Sequence, residues 1–458
     1  MLEDRLAWGG GRINSPLRFD ALAASECWHI TLQFLVAETS PGRDAAITGS
    51  LTADVARCID SGSFLLDVRQ AAGRQYCYFP LSEETSCMNR RLLVVVLLIG
   101  LHVFVGVTLI ADLSLGLFGS VLAWAYLALS AVLMRYGVLV RGADSALLAW
   151  SGLLAMGIFS SLAVFALLRA FVLALGSLSG WEPEGFAQAS ALAVIVAVVA
   201  VTLFGLLNAR RTARVVERDI VLRDLPAGLE GFNIVQLSDI HVGPTIKHGY
   251  IDAIVSRVNE ISPDLIVITG DLVDGSVADL AHDISPLAQL KARHGVYVVT
   301  GNHEYYSGAD SWITEFERLG MRVLLNRHVQ LKHGDAKLVL AGIADYSAEL
   351  FRPSHKSDPV AAFAGAPSDV PRILLAHQPR SAIAATEVGC DLQLSGHTHG
   401  GQFWPWMHFV RWQQPWVAGL QRVGDMQIYI SRGTGYWGPP LRFGAPSEIA
   451  RIRLVSAA

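Results

Sequence analysis

Charge is scarce in this 458-residue chain: 17% of residues are charged, and 36 basic against 40 acidic side chains leave a net charge of -4. No basic tract offers a row of phosphate contacts, which excludes nucleic acid as the main partner. Cysteine is equally unhelpful as a framework. The five present (Cys27, Cys58, Cys77, Cys87 and Cys390) show no C-x-x-C or zinc-ribbon spacing, and an odd count gives no disulfide scaffold. No evident secretory signal opens the chain, and no sequence feature marks an obligate protein partner.

What is abundant is apolar residues, 52% of the total, and they collect between 88 and 210. Four runs, at about 92–111, 115–134, 145–170 and 189–208, each approach the roughly 20 residues needed to cross a bilayer core of about 30 Å. None shows the polar face that a soluble core helix keeps. The chain therefore divides into an N-terminal stretch 1–87, a transmembrane region 88–210 and a soluble part 211–458. The third run stays apolar to Gly176 and carries Arg169. It fits either one tilted helix with a snorkelling arginine or a helix followed by an interfacial turn. His102, mid-span, has no evident partner in the sequence.

Arg90, Arg91, Arg135, Arg141, Arg210, Arg211 and Arg214 flank the spans on one side, whereas the other loops hold Asp112, Glu182 and Glu184. The positive-inside rule then expects the soluble part on the cytoplasmic face, with Arg169 the one residue pulling the other way. Met88-Asn89-Arg90-Arg91 ahead of an apolar run reads as a natural start. Residues 1–87 are then expected to be an upstream misreading, with a poorly packed cytoplasmic extension as the alternative.

Beyond 211 the pattern is α/β. Apolar, β-rich runs at 232–238, 264–270, 296–301, 372–376 and 392–395 each end in polar residues. Amphipathic stretches at 250–259 and 311–319 read as helices, and further strands are expected at 337–343, 427–431 and 450–455. The strand ends read Asp239-Ile240-His241, Gly270-Asp271-Leu272-Val273-Asp274, Gly301-Asn302-His303-Glu304, Ala376-His377-Gln378 and Gly396-His397-Thr398-His399-Gly400. Carboxylates, an amide oxygen and imidazoles form the mixed donor set that suits Mn, Fe or Zn. In an extended segment residues two apart point the same way, so Asp-x-His and His-x-His are expected to present both donors to one side. Any one of these motifs is common by chance. Five in order, each closing a β-like run, are not.

This set resembles the calcineurin-like metallophosphoesterase superfamily, with its D-x-H, G-D-x-x-D, G-N-H-E, H and G-H-x-H signature, over roughly 231–454. The resemblance implies a four-layered αββα sandwich preceded here by four transmembrane helices, and two divalent metal ions at the strand ends. Matched position by position, it implies Asp239, His241 and His399 at one metal, Asn302, His377 and His397 at the other, and Asp271 bridging both. His303 matches the catalytic imidazole and Asp274 the carboxylate that orients it. Two dications over two anionic ligands leave a site that attracts phosphate, and metals about 3.5–4 Å apart can clamp phosphoryl oxygens and activate water. Histidine suits the remaining task, protonating the departing alkoxide.

Departures narrow the expected substrate. Phosphoprotein phosphatases of the superfamily carry arginines where this chain has Gly275 and Thr300. A phosphodiester or diphosphate is therefore expected over a phosphoserine-type monoester, unless Arg380 or Arg442 compensates. The loop after the last ligand holds Phe403, Trp404, Trp406, Phe409, Trp412 and Trp416, which suggests an amphipathic lip at the membrane interface or an acyl-chain groove. The tails Ser431-Arg432-Gly433-Thr434-Gly435 and Pro440-Leu441-Arg442-Phe443-Gly444 resemble the bacterial membrane-associated branch, which implies an inner membrane and a lipid-linked phosphoester substrate. A tethered hydrolase of soluble phosphoesters, and a membrane sensor with an inactive metal domain, are the other readings.

Overall fold

The computed structural model describes residues 82–139, 146–181 and 183–457. The expectation of a start at Met88 concerns a segment that, up to residue 81, lies outside the described residues. The chain divides into two compact units, 1–101 and 102–458. Described of the first is a helical stretch, 82–101, the beginning of α1 (Ser82–Ile110).

Three long helices follow: α2 (Gly116–Leu139), α3 (Ala146–Ser179) and α4 (Phe186–Arg210). Each of the four contains a segment long and apolar enough to cross a membrane. Val196, Leu203 and Leu207 of α4 and Phe171 and Leu175 of α3 are exposed, an outward face that lipid solvates and water does not. At 34 residues α3 is one continuous helix, longer than the expected 145–170, with no interfacial turn.

Arg169 does not snorkel. It is buried and donates to the Asp112 carboxylate, to the carbonyls of Thr108 (2.5 Å) and Ala187 (2.8 Å), and to Ser190 Oγ (2.9 Å). One guanidinium thus ties α3 to the end of α1 and the start of α4, and an intramembrane charge persists because its partners are all supplied. His102 also has a partner after all: its Nε2 lies 3.1 Å from Ser130 Oγ and its ring stacks on Phe159. Between α2 and α3 the backbones touch at Gly137 and Gly152, where a Cβ on Gly152 would fall 2.4 Å from Gly137 N; only small residues permit that approach.

From Arg214 onward two six-stranded sheets form, as expected for this fold class. In the first, β1 (Arg214–Leu222), β12 (Glu448–Ser456), β2 (Asn233–Leu237), β3 (Leu265–Ile268), β4 (Val296–Val298) and β5 (Arg322–Val323) lie side by side in that order. The second runs β10 (Gly419–Val423), β11 (Met426–Ile430), β9 (Leu392–Ser395), β8 (Arg372–Leu375), β7 (Ala336–Gly342) and β6 (Arg327–His333).

Alternation assigns the layers. Ile234, Leu265, Val267 and Tyr297 of the first sheet meet Leu338, Leu340, Ile373, Leu375, Leu392, Leu394 and Tyr429 of the second in one central core. Their neighbours Val235, Leu237, Ile266, Ile268 and Val298 face the other way, onto Ile251, Ile254, Val255 and Val258 of α5 (His248–Ile261) and Leu280 of α6 (Val277–Ile284). On the far side Val339, Ala341, Leu374, Ile428 and Ile430 pack with Ala362, Ala382 and Ala385. The central strands are thus apolar on both faces, as a sheet covered on both sides requires. Strands β2, β3, β4, β8 and β9 all end at the same edge, and there the motif residues lie.

Candidate metal centre

The chain leaves β2 and β3 in step. Asp239 N donates to Gly270 O, His241 N to Asp271 O and Val242 N to Leu272 O, so the Asp-Ile-His and Gly-Asp-Leu-Val-Asp segments run as paired turns. Here the expectation of extended backbone is corrected. Asp239 (φ 53°), His241 (φ 57°), Asp271 (φ 54°), His397 (φ 71°) and His399 (φ 51°) all sit in the left-handed region, which side-chain-bearing residues rarely occupy. Both ends of each x-spaced pair still converge, through turns rather than a pleat. Ile240 points into the core as expected, whereas Thr398 instead donates through Oγ1 to Val417 O. Strain gathered at five donor positions is characteristic of a functional site.

Close approach demands glycine at two points. A Cβ on Gly396 would fall 1.9 Å from Ser238 Oγ and 2.2 Å from Asp239 Oδ2, and one on Gly301 would fall 2.2 Å from Asp271 Oδ1. These glycines let the His397 and Asn302 turns close onto the Asp239 and Asp271 turns.

All nine residues singled out from the sequence come together. On one side His241 Nε2 lies 3.0 Å from His399 Nε2, which is 3.5 Å from Asp239 Oδ1. On the other, Asn302 Oδ1 is 3.1 Å from both His377 Nε2 and His397 Nδ1, and those two nitrogens are 3.1 Å apart. Asp271 Oδ2 stands between, 3.1 Å from His377 Nε2 and 3.8 Å from His241 Nε2. Three groups are close enough to hold a cation: Asp239, His241 and His399; Asp271, His377 and His397; and, between them, His241, Asp271 and His303.

The donor chemistry fits divalent metals. Nitrogen lone pairs about 3 Å apart make poor hydrogen-bond partners but match adjacent ligands on a metal with bonds of about 2.1 Å. The electrostatics ask for positive charge. Burial pushes the Asp271 carboxyl up, but His377 and His303 outweigh it and hold the group well below its ordinary value. Burial opposes protonation of His377, yet Asp271 raises it well above the usual imidazole range. A proton between those two groups stands where a cation would.

Around the donors lie groups that orient them. His377 Nδ1 donates to Thr269 O (2.7 Å). Asp274 Oδ1 accepts from His241 Nδ1 (2.9 Å) and His303 Nδ1 (2.6 Å), so it orients two rings rather than the expected one. Burial would raise the Asp274 carboxyl, but these two imidazoles keep it below the ordinary carboxylate range. His303 Nε2 faces the donors, 4.0 Å from Asp271 Oδ2. Tyr306 and Trp437 flank its ring at 5.2 and 5.8 Å.

Two residues have roles that the sequence reading missed or misjudged. Glu304, fully buried, accepts from Gly301 N (2.7 Å), Asp271 N (3.0 Å) and Leu272 N (2.7 Å). It locks the Asn302-His303 turn to the Asp271 turn; three residues after Gly301 it reaches back to the Gly301 N–H as the glutamate half of a capping box does, though glycine supplies no reciprocal side chain. Arg442, offered as a phosphate-binding arginine, is fully buried instead. It donates to the carbonyls of His399 (2.9 Å) and Arg432 (2.8 Å) and to Gly435 O, and its Nη2 lies 3.0 Å from His399 Nδ1. With burial, it pushes His399 well below the usual imidazole range and so keeps that ring neutral. Arg380 lies over the Tyr346 ring and donates to Gln413 O (2.5 Å).

Loops beside the donor residues rest on the helices. Trp406 Nε1 donates to Ser160 Oγ of α3 (3.0 Å), the Trp404 ring meets Phe165 at 5.6 Å, and Phe443 meets Phe204 of α4 edge-on. Arg442 N donates to Gly205 O (2.9 Å), and Asn208 Nδ2 donates to Arg442 O (3.3 Å).

Residues 232–401 match the model of the calcineurin-like phosphoesterase family. A "Transmembrane protein with metallophosphoesterase domain" from Danio rerio is 37% identical over 67% of this chain and 74% of its own length. An "Uncharacterized metallophosphoesterase" of Campylobacter jejuni is 37% identical over 57% of this chain and 69% of its own. The chain belongs to the calcineurin-like metallophosphoesterases, phosphoester hydrolases, and is an integral membrane member of that family. In three dimensions it is similar to a 5'-nucleotidase precursor from Thermus thermophilus, at 13% identity and TM-score 0.33 over 49% of this chain and 54% of that one.

Proposed function

We propose that this protein hydrolyses a phosphodiester or diphosphate bond of an amphiphilic, lipid-linked substrate, using two divalent metals at the cytoplasmic face of a bacterial-type inner membrane. The observation that carries the hydrolytic part is the gathering of Asp239, His241 and His399 beside Asp271, His377 and His397, with Asn302 Oδ1 3.1 Å from His377 Nε2 and Asp271 Oδ2 3.8 Å from His241 Nε2. In the proposed arrangement Asp239, His241 and His399 hold one metal, Asn302, His377 and His397 the other, and Asp271 serves both. When bound, the pair would polarise phosphoryl oxygens and lower the pKa of an attacking water. His303 then supplies a proton from Nε2 to the departing oxygen, an alkoxide from a diester or a phosphate from a diphosphate, while Asp274, anionic and 2.6 Å from Nδ1, keeps the ring turned toward the reacting group. The absence of arginine at 275 and 300 favours a less charged phosphate than a monoester dianion.

Support for an amphiphilic substrate is positional. The loop that follows His397 and His399 is the one seated on α3, a helix long and apolar enough to cross a membrane. The test is turnover by metal-loaded protein in lipid nanodiscs, with nucleotide-linked and phosphate-bearing lipids set against small water-soluble diesters. Turnover of lipid that falls in a Trp404→Ala, Trp406→Ala double variant, with small-diester turnover retained, is the expected result. Equal activity on both substrate classes in both proteins favours a tethered hydrolase of soluble phosphoesters.

A further inference from the structure

We infer that residues 406–412 form a short interfacial anchor, embedded in the same bilayer leaflet that the helices cross, with lipid as its partner. Trp406, Phe409 and Trp412, three residues apart, make a continuous ribbon of rings: Trp406 to Phe409 at 5.7 Å and Phe409 to Trp412 at 5.1 Å. The short helix Trp406–Phe409 and the 3-10 turn Val410–Trp412 present them on one side. Among the described residues these rings stay uncovered, Trp406 43%, Phe409 42% and Trp412 81% exposed. A contiguous aromatic strip of this kind marks an interaction surface rather than ordinary solvent-facing side chains.

Depth follows from the helices it touches. Gly137 of α2 abuts Gly152 of α3, so in these antiparallel neighbours Arg135 is level with about residue 154 of α3. On the other side the Arg210 guanidinium lies over the Trp150 ring, 5.3 Å from its centroid. Arginine and tryptophan at one level mark the membrane–water interface. Ser160, the hydrogen-bond partner of Trp406, is then six to ten residues further along α3. At about 1.5 Å per residue that is roughly 9–15 Å below the arginines, inside a hydrocarbon core about 30 Å thick. Phe165, against Trp404, lies deeper still. The polar side of the ribbon fits this placement. His408 and Arg411 are exposed between the rings, and arginine on a long stem reaches back to lipid phosphates, as in interfacial amphipathic segments. The occupant of the strip is therefore bilayer lipid rather than a second copy of the chain or a soluble partner, because Trp406 and Trp404 are seated on α3 at Ser160 and Phe165, within the depth of a helix long and apolar enough to cross a membrane. This placement stands whatever the substrate proves to be.

The test uses the full chain in liposomes, with Cys27, Cys58, Cys77 and Cys87 replaced by serine and a bimane fluorophore on Trp412→Cys. The same label on Asp425→Cys is the reference: that side chain is 88% exposed and precedes β11, at the sheet end opposite the metal centre. Phospholipid carrying a nitroxide near the top of its acyl chain should quench the label at 412 at least threefold more than the label at 425, and aqueous iodide should do the reverse. Equal iodide quenching at the two positions overturns the inference. So does a label at 412 shielded from both quenchers in a protein that cross-links to a second copy. Metal content equal to that of the unlabelled protein shows that the variant is folded.

Discussion

At the scale of single residues, the side chains of the metal centre each do a separable job. Asp271 Oδ2 lies 3.1 Å from His377 Nε2 and 3.8 Å from His241 Nε2, so Asp271→Asn is expected to lower bound metal at both proposed positions and to abolish turnover; metal analysis after gel filtration checks it, and full occupancy with normal activity would remove the proposed bridging role. His303 touches Asp274 and faces the donors without belonging to either trio proposed for the metals. His303→Ala should therefore slow turnover by roughly 10²–10⁴ while metal content stays unchanged. Glu304 is a different kind of residue. In Glu304→Ala three buried N–H groups lose their acceptor, each worth about 1–3 kcal/mol, and the Asn302 and Asp271 turns come apart. A clear drop in thermal midpoint together with weaker metal retention is expected; a variant that loses neither would show that the lock is dispensable. The motifs marked Asp271 and His303, but not what Glu304 and Arg442 hold. The sequence displayed Glu304 and Arg442 as plainly as His303, but what each touches depends on turns that only the folded chain brings together.

At the scale of elements, the strand ends and the helix crossings set the geometry. Five donors sit at positive φ because the chain must turn sharply where each strand stops, and glycines at 301 and 396 make room. Gly396→Ala is expected to push the His397 turn away from Asp239 and to reduce metal affinity, with little change in the far-UV signature of the sheets. In the helices, Asp112→Ala leaves the Arg169 guanidinium buried without its counter-charge and should cost about 3–5 kcal/mol. An Asp112→Leu, Arg169→Met double change should cost less than the single one, and thermal unfolding in detergent compares them. The central strands were legible because apolar runs of four to seven residues ended in polar motifs. β1 was not: its side chains are mostly exposed, it lacks an apolar face on one side, and only its pairing with β12 makes it a strand. The Arg169 partnership was hidden too, since Asp112 and Ala187 are brought to it by helix packing and not by proximity in sequence.

At the scale of the whole molecule, the membrane helices from α2 onward and the α/β sandwich belong to one compact unit, joined by side chains on both parts. Arg442 is one such link: its backbone N–H is bonded to Gly205 of α4 while its guanidinium braces His399. A protein cut free of its helices would leave that bracket unsupported, and the expected consequence is weaker metal binding at the His399 group than in the full chain. The two-part organisation was readable from hydrophobicity and motif order; the mutual bracing was not, because it depends on loops whose apolar residues also suit an ordinary core. The measurement that bears most directly on the shared metal centre is anomalous diffraction from crystals of the full chain loaded with manganese. Two peaks about 3.5–4 Å apart, one beside Asp239, His241 and His399, the other beside Asn302, His377 and His397, with Asp271 between them, is the predicted result. A single peak, or metal bound away from these side chains in an otherwise active enzyme, would contradict it.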